Sequence, residues 1–200
     1  MILPPVDVLN SPVRLATFLL IYLFIISVFK HTSLLPFPHL SIHGSPAYSY
    51  ATSIFCVAFV FPPMCIRLLH NPSSPGVLMS TRDMLLVYFV KDFFLPLSPT
   101  IVVHHVLCIY LTAGARKYDV HDVAMAVFSA EIGSLGNNVF YLLRDEGNFV
   151  NVLVMTGSNL LTIYYALKVK EKNMRTFLWT VGLALIAMRE KTILEGYFGN

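Results

Sequence analysis

The sequence predicts an all-α fold, a single polytopic transmembrane helical bundle that spans residues 1–200 and has six to seven membrane helices. Of the 200 residues, 56% are hydrophobic and only 12% are charged, and the mean hydropathy is +0.68. A water-soluble domain of this length could not cover so much apolar surface. The apolar residues also come in runs of about 20, the length that a helix needs to cross a bilayer core.

Two predicted spans, Val13–Phe29 and Ala47–Leu69, form the N-terminal part of the bundle. The first has no basic start and no small-residue cleavage pattern, so we interpret it as an uncleaved anchor. The second contains Pro62 and Pro63. Because proline removes a backbone N–H donor, we expect a kink there.

Four further spans follow with short connectors: Val77–Leu95, Thr100–Gly114, His121–Leu143 and Phe149–Leu167. Pro96 and Pro99 separate the third span from the fourth, which a plain hydropathy window would merge. The last apolar stretch, Phe177–Met188, is short for a crossing. It is either a tilted seventh span or an interfacial helix.

The basic residues predict the orientation of the bundle. In a seven-span arrangement, nine of the 14 Lys and Arg residues fall on the N-terminal side, and the connector Lys168–Arg175 contributes most of the excess. The positive-inside rule then puts the N-terminus on the cytoplasmic side, or on the matrix side of a mitochondrial inner membrane. We expect an integral protein of the endoplasmic reticulum or of another organellar membrane.

Ionisable side chains inside the apolar runs mark a candidate site. Each costs about 2.5 to 3.5 kcal/mol to insert, so those that occur usually face a cavity or a partner. Counting from the ends of the spans places Asp92, His104, His105 and Asn138 within roughly 5 to 8 Å of one membrane face. The spacing therefore predicts that they form one site.

Glu131 lies nearer the middle of the fifth span, on the same helical face as Ser134 and Asn138. The other side of this helix carries small side chains that permit close helix contact: Ala126, Ala130, Gly133 and Asn137. We predict that this is the central helix and that Glu131 points into a cavity open toward the non-cytoplasmic side.

Structural alternatives exist for each of these groups. Glu131 could be a protonated or hydrogen-bonded carboxyl that keeps the helices in register, and Asp92 could simply pair with Lys91 or snorkel to the interface. Adjacent residues are about 100° apart on a helix, so one of His104 and His105 could pack away from the cavity.

Several other chemistries are not predicted. The ionisable groups lack the i, i+3 or i+4 spacing of a metal site, and no phosphate-binding loop or hydrolase motif occurs, so no metal and no cofactor is expected. The cysteines, Cys56, Cys65 and Cys108, lie in apolar segments and are expected to pack as small hydrophobes. The charge is +3 without a basic patch, which argues against nucleic acid as a partner.

Three segments together resemble the TLC-domain family: YFVKD at Tyr88–Asp92, the histidine pair in IVVHHVLCIYLT, and AEIGSLGNNVFYLL. The resemblance covers about residues 77–188 and leaves two transmembrane helices before it. It implies a helical membrane domain with an interior cavity reached by lipids. It also implies that the cavity is faced by His104, His105, Glu131 and Asn138.

The sequence departs from the family pattern at some positions. Leu135 stands where the family has proline, and Phe140 stands where it has arginine. The longer ceramide-synthase signature is not matched, because His121 and Asp122 lie too close to the histidine pair and Met125 replaces a second aspartate. The chain therefore resembles the lipid-handling, TLCD-like members more than the synthases.

We expect a role in lipid binding or membrane lipid homeostasis, in which Tyr88, Glu131, Ser134 and Asn138 contact the lipid. A first alternative is a non-catalytic accessory subunit of a larger organellar membrane complex, whose partners would be other membrane protein subunits. For the role in lipid binding or lipid homeostasis, the expected partners are membrane lipids.

A second alternative is a lipid acyltransferase of the ceramide-synthase type. His104 or His105 would act as a general base on an amine or hydroxyl group, and Asp92 or Glu131 would orient the imidazole. Asn138 would donate a hydrogen bond to the carbonyl oxygen of the acyl group.

Overall fold

The computed structural model describes residues 6–32, 41–42, 45–95, 99–115, 119–143 and 149–198. Over these ranges the chain is almost entirely helical. The exceptions are short turns and a two-residue antiparallel ladder of strand β1 (Ser41–Ile42) with strand β2 (Ser45–Pro46). The all-α class that the sequence predicts is confirmed at this level.

The helices follow the predicted spans closely. Their bounds are α1 Val6–His31, α2 Ala47–Phe55, α3 Phe61–His70, α4 Pro75–Lys91, α5 Pro99–Gly114, α6 Val120–Leu143, α7 Phe149–Lys168 and α8 Lys172–Phe198. Two of the described helical stretches, Pro12–His31 and Ala47–His70, are long and apolar enough to cross a membrane. The segment Val102–Gly114 of α5 is apolar but shorter. The number of spans, six or seven, stays a prediction.

A π-helical turn lies in the second span, just before the prolines at which the sequence predicts a kink. Cys56–Val60 joins α2 to α3, and the N–H of Phe61 donates to the carbonyl of Cys56, five residues back. Pro62 and Pro63 follow directly in the first turn of α3. Because these two residues have no N–H, the regular ladder cannot continue through them, and the wider turn precedes them.

The last helix is longer than the sequence suggested. The apolar stretch Phe177–Met188 lies within α8, which continues through Arg189, Glu190 and Lys191 to Phe198. The apolar run ends at these charged residues. The helix continues through them because Arg, Glu and Lys are good helix formers.

Helix α6 is central among the described elements, as predicted. It contacts α2, α3, α4, α5 and α7, and its longest contact is with α7. Along this contact the hydroxyl of Thr162 lies 3.4 Å from the carbonyl oxygen of Ala126, a member of the predicted small-residue face. On another side of α6, Phe128 packs against Phe61 of α3, with ring centroids 4.9 Å apart.

Helices α1 and α4 run side by side in parallel. Arg14 of α1 donates from its Nε to the Oδ2 of Asp83 at 3.0 Å, and Asp83 is fully buried. Further along both helices, Tyr22 packs edge-on against Tyr88, with centroids 6.0 Å apart. The second contact is further from the N-terminus than the first on both helices. The N-termini of α1 and α4 therefore point the same way.

Asp119 joins the two connectors on one side of the bundle. It is fully buried, and its two carboxylate oxygens accept the backbone N–H groups of Lys170 and Glu171 at 2.8 and 3.0 Å. These two N–H groups belong to the connector directly before α8, which begins at Lys172. Backbone donors outside a regular helix need partners from elsewhere in the fold. The carboxylate therefore fixes the approach of α8 to α6.

Candidate functional site

All seven side chains that the sequence predicts for the site line one cavity of about 140 Å³. They are Tyr88, Asp92, His104, His105, Glu131, Ser134 and Asn138. They come from the C-terminal end of α4 and the 3-10 turn Asp92–Phe94 that follows it, from the first turns of α5, and from the middle and C-terminal part of α6. The predicted convergence of polar groups from three neighbouring segments is therefore present, whereas the roles assigned to the residues stay predictions.

Glu131 is held from two sides. The hydroxyl of Tyr88 donates to its Oε2 at 3.0 Å, and the Nε2 of His104 lies 3.5 Å from its Oε1. The carboxyl group is only 5% exposed, and such burial requires partners for its oxygens. Glu131 thus holds three helices together, as the structural alternative expected, and at the same time forms part of the cavity wall.

Asp92 pairs with Lys91, which the sequence offered as the alternative to a site role. The Nζ of Lys91 lies 2.6 Å from the Oδ1 of Asp92, and both side chains are buried. The second oxygen, Oδ2, lies 3.5 Å from the Nδ1 of His105, at ion-pair distance but without the alignment of a hydrogen bond. Asp92 therefore pairs with the lysine and lines the cavity as well.

Both histidines line the cavity, so the alternative in which one of them turns away does not hold. Their ring centroids are 5.5 Å apart, and each ring is next to a different carboxylate. Adjacent residues are about 100° apart around the helix axis. Both rings can nevertheless line the cavity, because each faces a different carboxylate. His104 also lies 3.7 Å from the Sγ of Cys108, one turn further along α5.

The cavity has a fourth wall that the sequence reading missed. Ser49, Tyr50 and Ser53 of α2 contribute to the lining, together with Leu95 after α4. The signal was present in the sequence, because Ser49 and Ser53 are four residues apart and share a helical face with Tyr50 beside it. Uncharged hydroxyl groups in an apolar run attract less notice than carboxylates, although they also prefer a polar surrounding.

The geometry suits proton exchange with a bound polar group. Because the Nδ1 of His105 faces Asp92, its Nε2 is the ring atom that remains for a ligand hydroxyl or amine. Across the described residues, no three His, Cys, Asp or Glu side chains are arranged to hold a metal ion. The two histidine–carboxylate pairs, His104 with Glu131 and His105 with Asp92, are the chemical centre of the site.

No family model, no curated protein and no solved structure matches the chain. The resemblance to the TLC-domain family therefore stays a prediction from the three sequence segments.

Proposed function

We propose that the chain is a polytopic integral membrane protein of the TLC type that binds a lipid with its headgroup in the cavity between α2, α4, α5 and α6. Its role on this proposal is lipid binding or membrane lipid homeostasis. The observation that carries the proposal is the meeting of ten polar side chains from apolar helices in one cavity. Such groups are costly inside a bilayer, and their convergence indicates a ligand that uses them.

The size of the cavity favours a headgroup over a whole acyl chain. A water molecule needs about 10 to 15 Å³ of cavity volume. A cavity of about 140 Å³ therefore provides on the order of ten water-sized positions. Apolar side chains close to the cavity point outward and are exposed: Phe93 and Phe94 after α4, and Val103 and Val106 on α5. On the proposal, the acyl chains lie against these residues while the headgroup is inside.

The outer surface is consistent with a lipid environment. Large apolar side chains are exposed on α1 and α7, among them Leu20, Phe24, Leu160 and Leu161. In water, faces of this kind would associate, whereas in a bilayer they contact lipid tails. We place the N-terminus on the cytoplasmic or matrix side, in the endoplasmic reticulum or another organellar membrane.

Photocrosslinking tests lipid binding. The purified protein in mild detergent is irradiated with diacylglycerol and phosphatidylcholine probes that carry a diazirine close to the ester group. We expect crosslinks in peptides from α4, α5 and α6 that line the cavity. The double variant Glu131→Gln with His104→Ala should lower them about tenfold, the equivalent of roughly 1.4 kcal/mol.

The chain offers a matched control for this variant. His121 and Asp122 form another histidine–carboxylate pair on α6, with Nδ1 and Oδ1 2.9 Å apart, and they are not among the residues lining the cavity. His121→Ala with Asp122→Asn should leave the crosslinks unchanged. Crosslinks spread over the outer faces of α1 and α7, with no response to the Glu131 variant, would count against the proposal.

The second candidate function is acyl transfer between lipids, and the two histidine–carboxylate pairs favour it. The contact between His104 and Glu131 is the arrangement in which an acid orients a general base, and His105 lies at the same distance, 3.5 Å, from Asp92. The test replaces His104 and His105 by Ala and compares cellular lipid profiles at equal protein abundance. Loss of one lipid class and build-up of its precursor is expected for an acyltransferase, and an unchanged profile would exclude this role.

A further inference from the structure

Lys91 has an unusual environment for a lysine. It lies at the end of α4, its side chain is 0% exposed, and it is not among the residues that line the cavity. Its Nζ bonds Asp92 at 2.6 Å and lies 4.0 Å from the ring centroid of Tyr88. The ring of Tyr22, from α1, is 5.8 Å away. A fully buried ammonium group needs such partners, because it has lost its hydration.

The two close neighbours of Lys91, Asp92 and Tyr88, connect it to different histidine–carboxylate pairs. Asp92 faces His105 through its second oxygen. Tyr88 donates to Glu131, and Glu131 faces His104. The lysine is therefore placed where a single positive charge acts on both pairs.

We propose that Lys91 is a positioning residue that joins the two histidine–carboxylate pairs into one unit, with Tyr22 and Tyr88 as its aromatic cage. It occupies one oxygen of Asp92 and leaves the other to His105. Its charge over the ring of Tyr88 makes the phenol hydroxyl a stronger donor to Glu131. Through Tyr22, α1 becomes part of the site although it contributes no lining residue.

The unit refines the lipid-binding function proposed above, but it exists in the protein without ligand and can be tested there. The titratable groups around Lys91 and the two pairs come from α1, the π-helical turn, α4, α5 and α6: Tyr22, Cys56, Tyr88, Asp92, His104, His105, Cys108 and Glu131. The readout must therefore follow each histidine separately.

Carbethoxylation by diethyl pyrocarbonate, which modifies neutral imidazole, provides this readout. The reaction is followed by peptide mass spectrometry over a pH series on the ligand-free protein in detergent, with His121 as the internal reference. Lys91→Met keeps the length of the stem and removes the charge. Because loss of a positive charge favours proton binding by its neighbours, we expect the midpoints of both His104 and His105 to move to higher pH, by about one unit or more.

Two further lysine variants complete the comparison. Lys91→Arg keeps the charge and should restore midpoints close to those of the unsubstituted protein. Lys168→Met is the matched control, because Lys168 also lies over tyrosine rings, 4.3 Å from that of Tyr164, but away from the cavity. It should leave both midpoints in place. Unchanged midpoints in Lys91→Met, or a shift of His105 alone, would overturn the proposal.

If Lys91→Met does not fold, the double variant Lys91→Met with Asp92→Asn removes both charges of the buried pair together. It is compared with Asp92→Asn alone. A further shift of the His104 midpoint in the double variant is expected, because the path through Tyr88 is then also lost. Identical His104 midpoints would overturn the claim that the lysine joins the pairs.

The two proposals fail in different ways. Shifted midpoints without photocrosslinking at the cavity would overturn lipid binding and leave the role of Lys91 intact. Photocrosslinking at the cavity with unshifted midpoints would overturn the role of Lys91 alone.

Discussion

At the scale of single residues, the carboxyl group of Glu131 shows that structural and functional interpretations do not exclude each other. Its oxygens contact Tyr88 on α4 and His104 on α5, and these contacts provide partners for a buried carboxyl group. The same contacts fix the group at the wall of the cavity. A residue held in this way can meet a ligand without reorganising, which is the condition for effective electrostatic recognition.

Tyr88→Phe should separate the hydroxyl contact from ring packing. The substitution keeps the ring beside Lys91 but removes the donor to Glu131, 3.0 Å away. We expect the free energy of unfolding to fall by about 1 to 3 kcal/mol, because the buried carboxyl group of Glu131 loses the hydrogen bond from the Tyr88 hydroxyl. Unfolding in mixed detergent micelles measures the change, and photocrosslinking at the cavity should decrease with it.

Tyr110→Phe is the control for this prediction, since Tyr110 is 60% exposed on the outer face of α5. Its substitution should leave stability and crosslinking nearly unchanged. Equal stability of both variants would show that the contact between Tyr88 and Glu131 contributes nothing measurable.

At the scale of the helices, the sequence predicts depth in the bundle better than rotation about the helix axis. The distance of a residue from the end of an apolar run fixes its height, so Asp92, His104, His105 and Asn138 were placed at one level. Which side a helix turns to its neighbours depends on packing between segments far apart in the chain. For that reason the hydroxyl groups of α2 and the contact of α1 with Lys91 were not found.

The contact between α6 and α7 depends on a small residue at one point. A side chain at Gly136 would meet the Oδ1 of Asn151 on α7 at less than normal contact distance, whereas one at Gly157 would enter open space. We therefore expect Gly136→Leu to lower the free energy of unfolding by about 1 to 3 kcal/mol through overpacking. Gly157→Leu, the matched change on α7, should be neutral or stabilising because leucine is the better helix former.

Unfolding of the two leucine variants under identical detergent conditions decides this prediction. A loss of stability at Gly157 equal to that at Gly136 would indicate that the outer face of α7 is packed against something else.

At the scale of the whole molecule, the helix order was predictable because apolar runs and proline breaks are local signals. Val77–Leu95 and Thr100–Gly114 correspond to α4, which ends at Lys91, and α5, which begins at Pro99. The π-helical turn and the extension of α8 were not predicted. Both depend on backbone hydrogen bonding, which hydropathy does not report.

The seven-span arrangement predicts the side on which each connector lies. Cysteine substitutions at exposed positions, Thr32→Cys after α1, Ser73→Cys after α3 and Lys172→Cys at the start of α8, are labelled with an impermeant maleimide in sealed vesicles. We expect position 32 to react from the side opposite to positions 73 and 172, which share a side with the N-terminus. Labelling of all three from one side would contradict the arrangement.

The oligomeric state belongs to the same scale. Size measurement in mild detergent distinguishes a free chain of 22.5 kDa from a subunit of a larger assembly. The accessory-subunit alternative stays a prediction until that measurement is made.

The parallel contact of α1 with α4 has a consequence for biogenesis. Helix α4 carries Arg82, Asp83 and Lys91, followed by Asp92, and it is not one of the two described stretches that are long and apolar enough to cross a membrane. Because α1 precedes α4 in the chain, Arg14 and Tyr22 are synthesised before the charged residues of α4. The order of synthesis therefore supplies the partner of Asp83 before Asp83 itself is made.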